Sequence, residues 1–401
     1  MQPISPMYSS FIFDFLLFMP VFSCFYFTRT QDWRRRAAYG TMQAERMGKR
    51  MSDKPSALLL EWYDAVKRDL PWRRTRDPYR IWLSEIMLQQ TRVETVKGYY
   101  ARFLERCPTV EALASAPEET VLKLWEGLGY YSRARNLQKA ARTIMTEHSG
   151  VFPNDYDSIL KLSGIGPYTA GAIASIAFGE AVPAVDGNVY RVASRFFGVR
   201  EDVGIPSVQK QIRQLVEQSI PADRPGDYNQ ALMELGATLC SPQRPDCGSC
   251  PWRDLCDACR EGDQDSLPVH EKKQAPKAVD VAVCLLTHEN RVLVLPRQER
   301  MLKGLYVFWL TEEETQPGRV AELLREDGLD AQFSGHLGQA KHVFTHRIWK
   351  MELLHFTLQS PPDDAWLESR QARLVTAGEL SRLPLPTAVK AARAKAMELL
   401  K

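Results

Sequence analysis

The sequence has no strong charge of one sign, no internal repeat, no low-complexity tract and no uninterrupted apolar run of membrane-spanning length. With 44% apolar and 25% charged residues it matches the composition of a folded globular chain, which excludes wholesale disorder, collagen and a multi-span membrane protein. Its 401 residues suffice for about two or three domains. The net charge of +3 hides an uneven distribution: residues 1–50 hold seven Lys and Arg against three Asp and Glu, leaving 45 against 46 in the remainder. Bulk charge therefore carries no information about nucleic acid.

The first 50 residues read differently from the rest. The apolar stretch 11–27 (FIFDFLLFMPVFSCFYF) contains Asp14 and Pro20 and is shorter than the ~20 residues of a spanning helix. Arg29 and Arg34 to Arg36 follow it, whereas a secretory signal places its basic residues first. Met51 opens a polar, helix-compatible stretch that leads straight into the motifs below. Residues 1–50 are thus expected to be an N-terminal extension outside the working protein, with no membrane partner. N-terminal sequencing of the natural protein, were it to begin at Met1, would overturn this.

From 51 to 258 the apolar spacing is helical: Val93, Val96, Tyr100 and Phe103 recur at helical intervals, as do Leu137, Ala141 and Ile144. Thr91 with Glu94, and Ser115 with Glu118, have capping-box spacing, and Pro117 suits a first helical turn. Residues 259–277 (CREGDQDSLPVHEKKQAPK) are polar and hold two prolines, which predicts a linker. Residues 278–401 then read as a smaller α+β domain. VDVAVCLLTHENRVLVL predicts a β-hairpin, VFTHRIWKMELLHFTL a further strand region, and about 317–327 and 387–401 two helices.

Cys240, Cys247, Cys250 and Cys256 form C-x6-C-x2-C-x5-C, too tight and regular for scattered core thiols. Disulfides are a poor reading for a large helical domain with nothing directing secretion. Tetrahedral zinc would accept four thiolates but usually sits between paired short knuckles; one long spacing followed by two shorter ones suits a [4Fe-4S] cube. Cys259 lies outside the spacing and, with Cys24, Cys107 and Cys284, reads as an ordinary thiol.

In LSGIGPYTAG, Gly164 and Gly166 permit a tight turn that leaves N–H groups pointing outward at the start of a helix, an anion site able to hold a DNA phosphate. Glycines in helix connections also serve packing alone. Asp186, in AVPAVDGNVYRV, could be a plain helix N-cap. Glu85, in the apolar IWLSEIMLQQT, is costly to bury unless paired or functional, and otherwise faces solvent.

LPWRRTRDPYRIWLSEIMLQQTRV, GLGYYSRARNL, LSGIGPYTAGAI, VDGNVYRV, NQALMELGATLC and the four-cysteine spacing, in this order, resemble the helix-hairpin-helix DNA glycosylases with an iron-sulphur cluster, and most closely the adenine DNA glycosylases of the MutY type. The resemblance extends from about Leu70 through HVFTHRIW in the C-terminal part. It implies a mainly α helix-hairpin-helix glycosylase domain with a [4Fe-4S] loop held by the four cysteines, plus a C-terminal α+β Nudix-like domain. It further implies a monomeric, monofunctional hydrolase in the cytoplasm of a bacterial-type cell. The substrate would be double-stranded DNA carrying adenine opposite 8-oxoguanine or guanine.

By that resemblance Glu85 protonates adenine N7 and later activates water, while Asp186 stays ionised beside the cationic sugar, and Tyr168 and Asn188 assist. Gln90 and Tyr130, with Leu128 beside them, would fill the gap left by the extruded base; a lone tyrosine more often packs a helix. Trp72, Arg73 and Gln230 would line the adenine pocket. The run Lys67, Arg68, Arg73, Arg74, Arg76 and Arg80 could serve phosphates or simply be a solvated face.

Phe344, Thr345 and His346 occupy the place of a Phe-Ser-His segment that contacts the oxidised guanine, with Thr adding a methyl group; alone, His346 would default to a structural role. No G-x5-E-x7-R-E-x2-E-E series is present, which argues against nucleotide pyrophosphatase activity, and RMLKGLYVFWL departs from the family's Gly-Leu-Trp-x-Phe-Pro pattern through Tyr306 and Trp309. An endonuclease III-type lyase would need a lysine where Tyr168 stands. A catalytically dead DNA-binding or redox sensor on the same scaffold is disfavoured by the presence of both Glu85 and Asp186.

Overall fold

The computed structural model describes residues 54–271, 275–299, 301–312 and 314–401. The expectations for residues 1–50, including Cys24, fall outside these. From Lys54 to Glu261 the described chain is helical. The helices are α1 (Lys54–Val66), α2 (Pro78–Leu88), α3 (Val93–Arg106), α4 (Val110–Ser115), α5 (Glu118–Leu124), α6 (Ser132–Glu147), α7 (Tyr156–Leu160), α8 (Pro167–Phe178), α9 (Gly187–Phe197), α10 (Pro206–Glu217), α11 (Pro225–Thr238) and α12 (Asp257–Glu261).

The expected apolar stripes are the buried ones. Val96 and Phe103 on α3, and Leu137, Ala141 and Ile144 on α6, join one core with Trp82 of α2 and Ile173 of α8. The capping boxes do not form. The residue before α3 is Arg92 rather than Thr91, and the cap of α5 is Pro117. Ser115 instead donates back to the Glu111 carbonyl at 2.9 Å within the last turn of α4. A hydroxyl one or two residues out of register bonds the nearest free carbonyl rather than the next helix.

The segment expected as a linker packs, in its first half, on the helices. Cys256 precedes α12, Leu267 is buried, its carbonyl accepts from Arg195 Nε at 3.0 Å, and Val203 N donates to Val269 O at 3.1 Å. Asp263 pairs with Arg200 at 2.8 Å and Asp265 accepts from Arg244 N at 3.3 Å, so polar residues that read as a linker are partnered by the helical part.

The C-terminal part is a seven-stranded mixed sheet. Its elements are β1 (Lys277–His288), β2 (Arg291–Pro296), β3 (Tyr306–Val307), β4 (Trp309–Glu312), α13 (Pro317–Glu326), β5 (Ala331–Val343), β6 (Arg347–Leu358), α14 (Asp364–Arg370), β7 (Arg373–Val375), α15 (Ala377–Arg382) and α16 (Lys390–Leu399). The main path runs β3-β2-β1-β6-β5, with β1 and β6 parallel from Lys277 opposite Arg347 to Thr287 opposite Thr357.

The hairpin expected around His288 is β1 and β2. Side chains alternate between two cores: Val281, Val283 and Leu285 face α15 and α16, while Ala282, Cys284 and Leu286 face α13. The strand region expected at VFTHRIWKMELLHFTL is β6, preceded by the reversal at 344–346; its partner β5 lies upstream of that stretch and was not expected. β5 was missed because it is half-exposed on both faces and shows no apolar alternation.

Residues 56–401 form one compact unit in which the sheet part is anchored to the helices. Leu305 is fully buried in the helical core. Lys123 Nζ donates to the carbonyls of Ser381 (2.9 Å) and Leu383 (3.1 Å), and Arg393 pairs with Glu126 at 2.7 Å.

Candidate active site

Asp77 caps α2, its carboxylate accepting from Tyr79 N at 2.9 Å, and Pro78 starts the helix. Eight of the eleven residues of α2 are buried, Glu85 among them at 6% exposure, so the solvent-facing alternative is excluded. The hairpin answers it directly: Tyr168, in the first turn of α8, donates its hydroxyl to Glu85 Oε2 and lies 3.7 Å from Met233 Sδ. Burial pushes the Glu85 carboxyl up to about 7; Tyr168 and the more distant Arg73 pull it down, and the negative charge of Asp186 adds to the rise. A carboxyl held there can give up a proton near neutral pH and take one back.

Asp186 is both a cap and a functional group. Its Oδ1 accepts from Val189 N at 2.7 Å at the start of α9, and its Oδ2 accepts from Asn188 Nδ2 at 2.9 Å. Donors on both oxygens and the helix N-terminus stabilise negative charge at that point. Asn188 is itself held, its Oδ1 accepting from Arg191 Nη2 at 3.0 Å. α8 approaches the strand-like run leading to Asp186 so closely that a Cβ on Gly171 would meet the Pro183 carbonyl at 2.1 Å. That fit sets the distance between hairpin and aspartate.

The hairpin glycines have distinct duties. Gly164 turns at φ +77° with its Cα against Asn136, where a side chain would clash, and Gly166 caps α8 with no side chain covering its N-terminus. One loop thus offers outward backbone donors and sends Tyr168 inward.

Arg73 Nη2 donates to Glu234 at 2.7 Å, and Arg68 grips both oxygens of the same carboxylate at 2.6 and 2.7 Å. Burial alone would raise the Glu234 carboxyl, but the bonds from Arg68 and Arg73 outweigh it and hold it below the usual range. Trp72 is buried edge-on to Tyr100, and Gln230 lies on α11 with Met233 and Glu234, its Nε2 3.4 Å from Gly226 O. Glu234 and Met233 escaped sequence reasoning although they stand in NQALMELGATLC; a glutamate on an otherwise apolar face was the available signal. Five cations of the basic run (Lys67, Arg68, Arg73, Arg74 and Arg80) are already paired with Asp64, Glu234, Asp69 or Asp77, which leaves Arg76 as the better phosphate candidate among them.

Gln90 and Tyr130 both adopt left-handed backbone, at φ 58° and 47°. Tyr130 is 52% exposed, so the plain packing role is excluded, and its hydroxyl lies 2.8 Å from Thr345 Oγ1. Leu128, expected beside them, is instead buried in the helical core, where its apolar side chain is worth more than at the surface. Phe344 packs edge-on against Trp349 and His342, whereas Thr345 and His346 are exposed at the β5–β6 reversal.

Cys240, Cys247, Cys250 and Cys256 line one cavity, and so does Cys259, which interacts with Cys247. Arg195 donates to Cys240 Sγ at 3.3 Å and to the Ser241 and Pro242 carbonyls; Arg191, one turn earlier on α9, holds the Cys240 carbonyl at 2.9 Å. The helix that begins at Asp186 therefore also braces the cysteine loop. Among the described residues no three His, Cys, Asp or Glu side chains converge on a single ion. Four thiols around one cavity are a donor set that fits a [4Fe-4S] cluster.

Residues 83–221 match the family described as "HhH-GPD superfamily base excision DNA repair protein", and residues 281–395 match "NUDIX domain". Fold and site together define a helix-hairpin-helix base-excision DNA glycosylase with a C-terminal Nudix domain. The adenine DNA glycosylase of Homo sapiens is 36% identical over 381 residues, covering 78% of this chain and 70% of its own length. That of Buchnera aphidicola subsp. Baizongia pistaciae is 40% identical over 308 residues, covering 76% and 84%. That of Rattus norvegicus is 45% identical over 247 residues, covering 59% and 47%. The chain belongs to the adenine DNA glycosylase family of the MutY type, enzymes that remove adenine from DNA in base excision repair.

Proposed function

We propose that the chain is a monofunctional hydrolase acting, as a monomer, on adenine opposite 8-oxoguanine or guanine in duplex DNA. The reading is carried by the buried Glu85 carboxyl, poised near neutral pH, bonded by Tyr168 and within the field of Asp186. Glu85 gives its proton to adenine N7 as the C1′–N9 bond breaks and its electron pair passes to the base, so that neutral adenine leaves. Asp186, fixed by Val189 N and Asn188, stabilises the positive sugar. Water then adds to C1′ and its proton returns to Glu85, restoring the acid.

Tyr168, occupied with Glu85, offers no amine for a Schiff base, which supports hydrolysis without lyase chemistry. Gly164 and Gly166 serve a DNA phosphate; Trp72, Arg73 and Gln230 shape the adenine pocket; Gln90 and Tyr130 fill the vacated stack. Phe344 supports Thr345 and His346, which face the oxidised guanine. Cys240, Cys247, Cys250 and Cys256 would hold a [4Fe-4S] cluster, whose contribution is to cross-link and charge the DNA-side loop. Arg195 and Arg191 orient that loop from α9.

Single-turnover adenine release from 8-oxoguanine:adenine, guanine:adenine and 8-oxoguanine:cytosine duplexes tests the whole reading. Adenine should leave the first two and nothing the third, with no adduct trapped by borohydride. A trapped adduct, or equal release of a pyrimidine, would sink it.

A further inference from the structure

One side chain outside the catalytic group joins the two reversals that carry Gln90 and Tyr130. Arg133, in the first turn of α6, donates from Nη1 to the carbonyls of Ile86 (2.7 Å), Met87 (3.2 Å) and Gln89 (2.7 Å). From Nη2 it donates to Leu128 (3.0 Å) and Gly129 (3.1 Å). Its guanidinium lies 5.3 Å from the Trp125 ring and 5.8 Å from that of Tyr130. No carboxylate among the described residues pairs with it; burial lowers its pKa to about 10, which leaves it charged at neutral pH. A half-buried cation answered by carbonyls and ring faces with no carboxylate is an expensive way to hold two loops, unless their relative position matters.

The position does matter for the residues next to those carbonyls. Gln90 follows Gln89, Tyr130 follows Gly129, and both are non-glycine residues with positive φ, a conformation that persists only where the surroundings over-determine it. Ile86 and Met87 close the helix that carries Glu85. The same five bonds thus tie both extrusion residues to the catalytic helix. We propose that Arg133 is a positioning residue for base extrusion, setting Gln90 and Tyr130 at the separation with which they enter the duplex. The inference rests on the reading of those two residues as the gap fillers.

The test compares single-turnover rates on adenine opposite guanine with rates on adenine opposite an abasic-site analogue, where the pairing that opposes extrusion is gone. Arg133→Lys keeps the charge but offers one point in place of a planar fork, and cannot span both loops. It should slow excision from the mispair by about 10²-fold, and from the abasic-facing adenine by about tenfold less, with the pH profile unmoved. Arg133→Gln, which keeps planar donors without the buried charge, carries the same test where the lysine variant does not fold. A 2-aminopurine beside the adenine reports extrusion directly and should lose its fluorescence rise.

Equal slowing on both substrates, a displaced pH profile, or an undiminished fluorescence rise would overturn the proposal. Tyr130→Ser separates the two layers. If it leaves the ratio of the two rates at the wild-type value, the gap-filling reading fails whatever Arg133 does; if it lowers the ratio and Arg133→Lys does not, only the Arg133 proposal fails.

Discussion

The catalytic centre and the β5–β6 reversal hold their side chains in opposite ways. Glu85 is buried, bonded by Tyr168 and backed by an apolar helix, and both oxygens of Asp186 are engaged. Thr345 and His346 stand exposed, next in the chain to the packed Phe344, and the Tyr130 hydroxyl links Thr345 back to the helices. Bond cleavage needs dry groups whose charges are placed in advance. Recognition of a second base needs groups left open until DNA supplies their partners. The centre should therefore be brittle to substitution and the reversal tolerant.

The sharpest test of brittleness is Glu85→Gln or Asp186→Asn. Either should lower single-turnover adenine release by about 10³-fold or more while duplex binding, measured by gel shift, persists. Full activity in Glu85→Gln would remove the assignment of the acid.

Glu234→Leu comes next, because it strands Arg73 and half-exposed Arg68 without their shared carboxylate. It should lower stability by about 3 kcal/mol, read as the denaturant midpoint. A smaller loss would mean that solvent reaches both cations.

The Glu85 carboxyl also makes stability depend on pH. Its folded-state pKa of about 7 lies above the ordinary 4.5, so its favourable contribution is complete below 4.5 and is lost as pH rises through about 7. Near pH 8 the buried anion is a cost of up to about 3 kcal/mol that Glu85→Gln removes, so that variant should melt higher than wild type there and alike below about pH 4.5. Activity should fall over the same rise in pH. Tyr168→Phe, which deletes a bond favouring the ionised carboxyl, should move that fall to higher pH.

The smallest effect belongs to the reversal. Thr345→Val keeps the shape and loses the hydroxyl, and should reduce preference for 8-oxoguanine:adenine over guanine:adenine by about fivefold, near 1 kcal/mol. Thr345→Ser should change it less. A loss as large as that of Glu85→Gln would erase the contrast between the two regions.

Legibility followed the kind of signal each region emits. Helices with one apolar stripe, the paired glycines, the aspartate before α9 and the cysteine spacing were readable because each is a local pattern with a local cause. β5 was not, since a strand exposed on both faces has no alternation to read. The packing of 259–271 was hidden because it is made by backbone carbonyls, by the buried Leu267 and by aspartates such as Asp263 whose partner Arg200 lies far away in the chain. Leu128 was expected by the resemblance beside Gln90 and Tyr130, and burial of its apolar side chain puts it in the helical core, a distinction that only packing makes.

The sequence by itself determined the chemistry available: two carboxylates, a tyrosine in place of a lysine, a glycine hairpin and four spaced thiols. Tertiary structure decided what each could do. Glu85 becomes an acid near neutral pH only because packing around α2 buries it away from water, while Tyr168 of α8 bonds the carboxylate and limits the rise. Arg133 gains its role by joining nearby carbonyls to others more than forty residues away in the chain, and Glu234 from two arginines more distant still. Proton affinity and a shared hydrogen-bond hub depend on distance and dielectric, and neither is written in the order of residues.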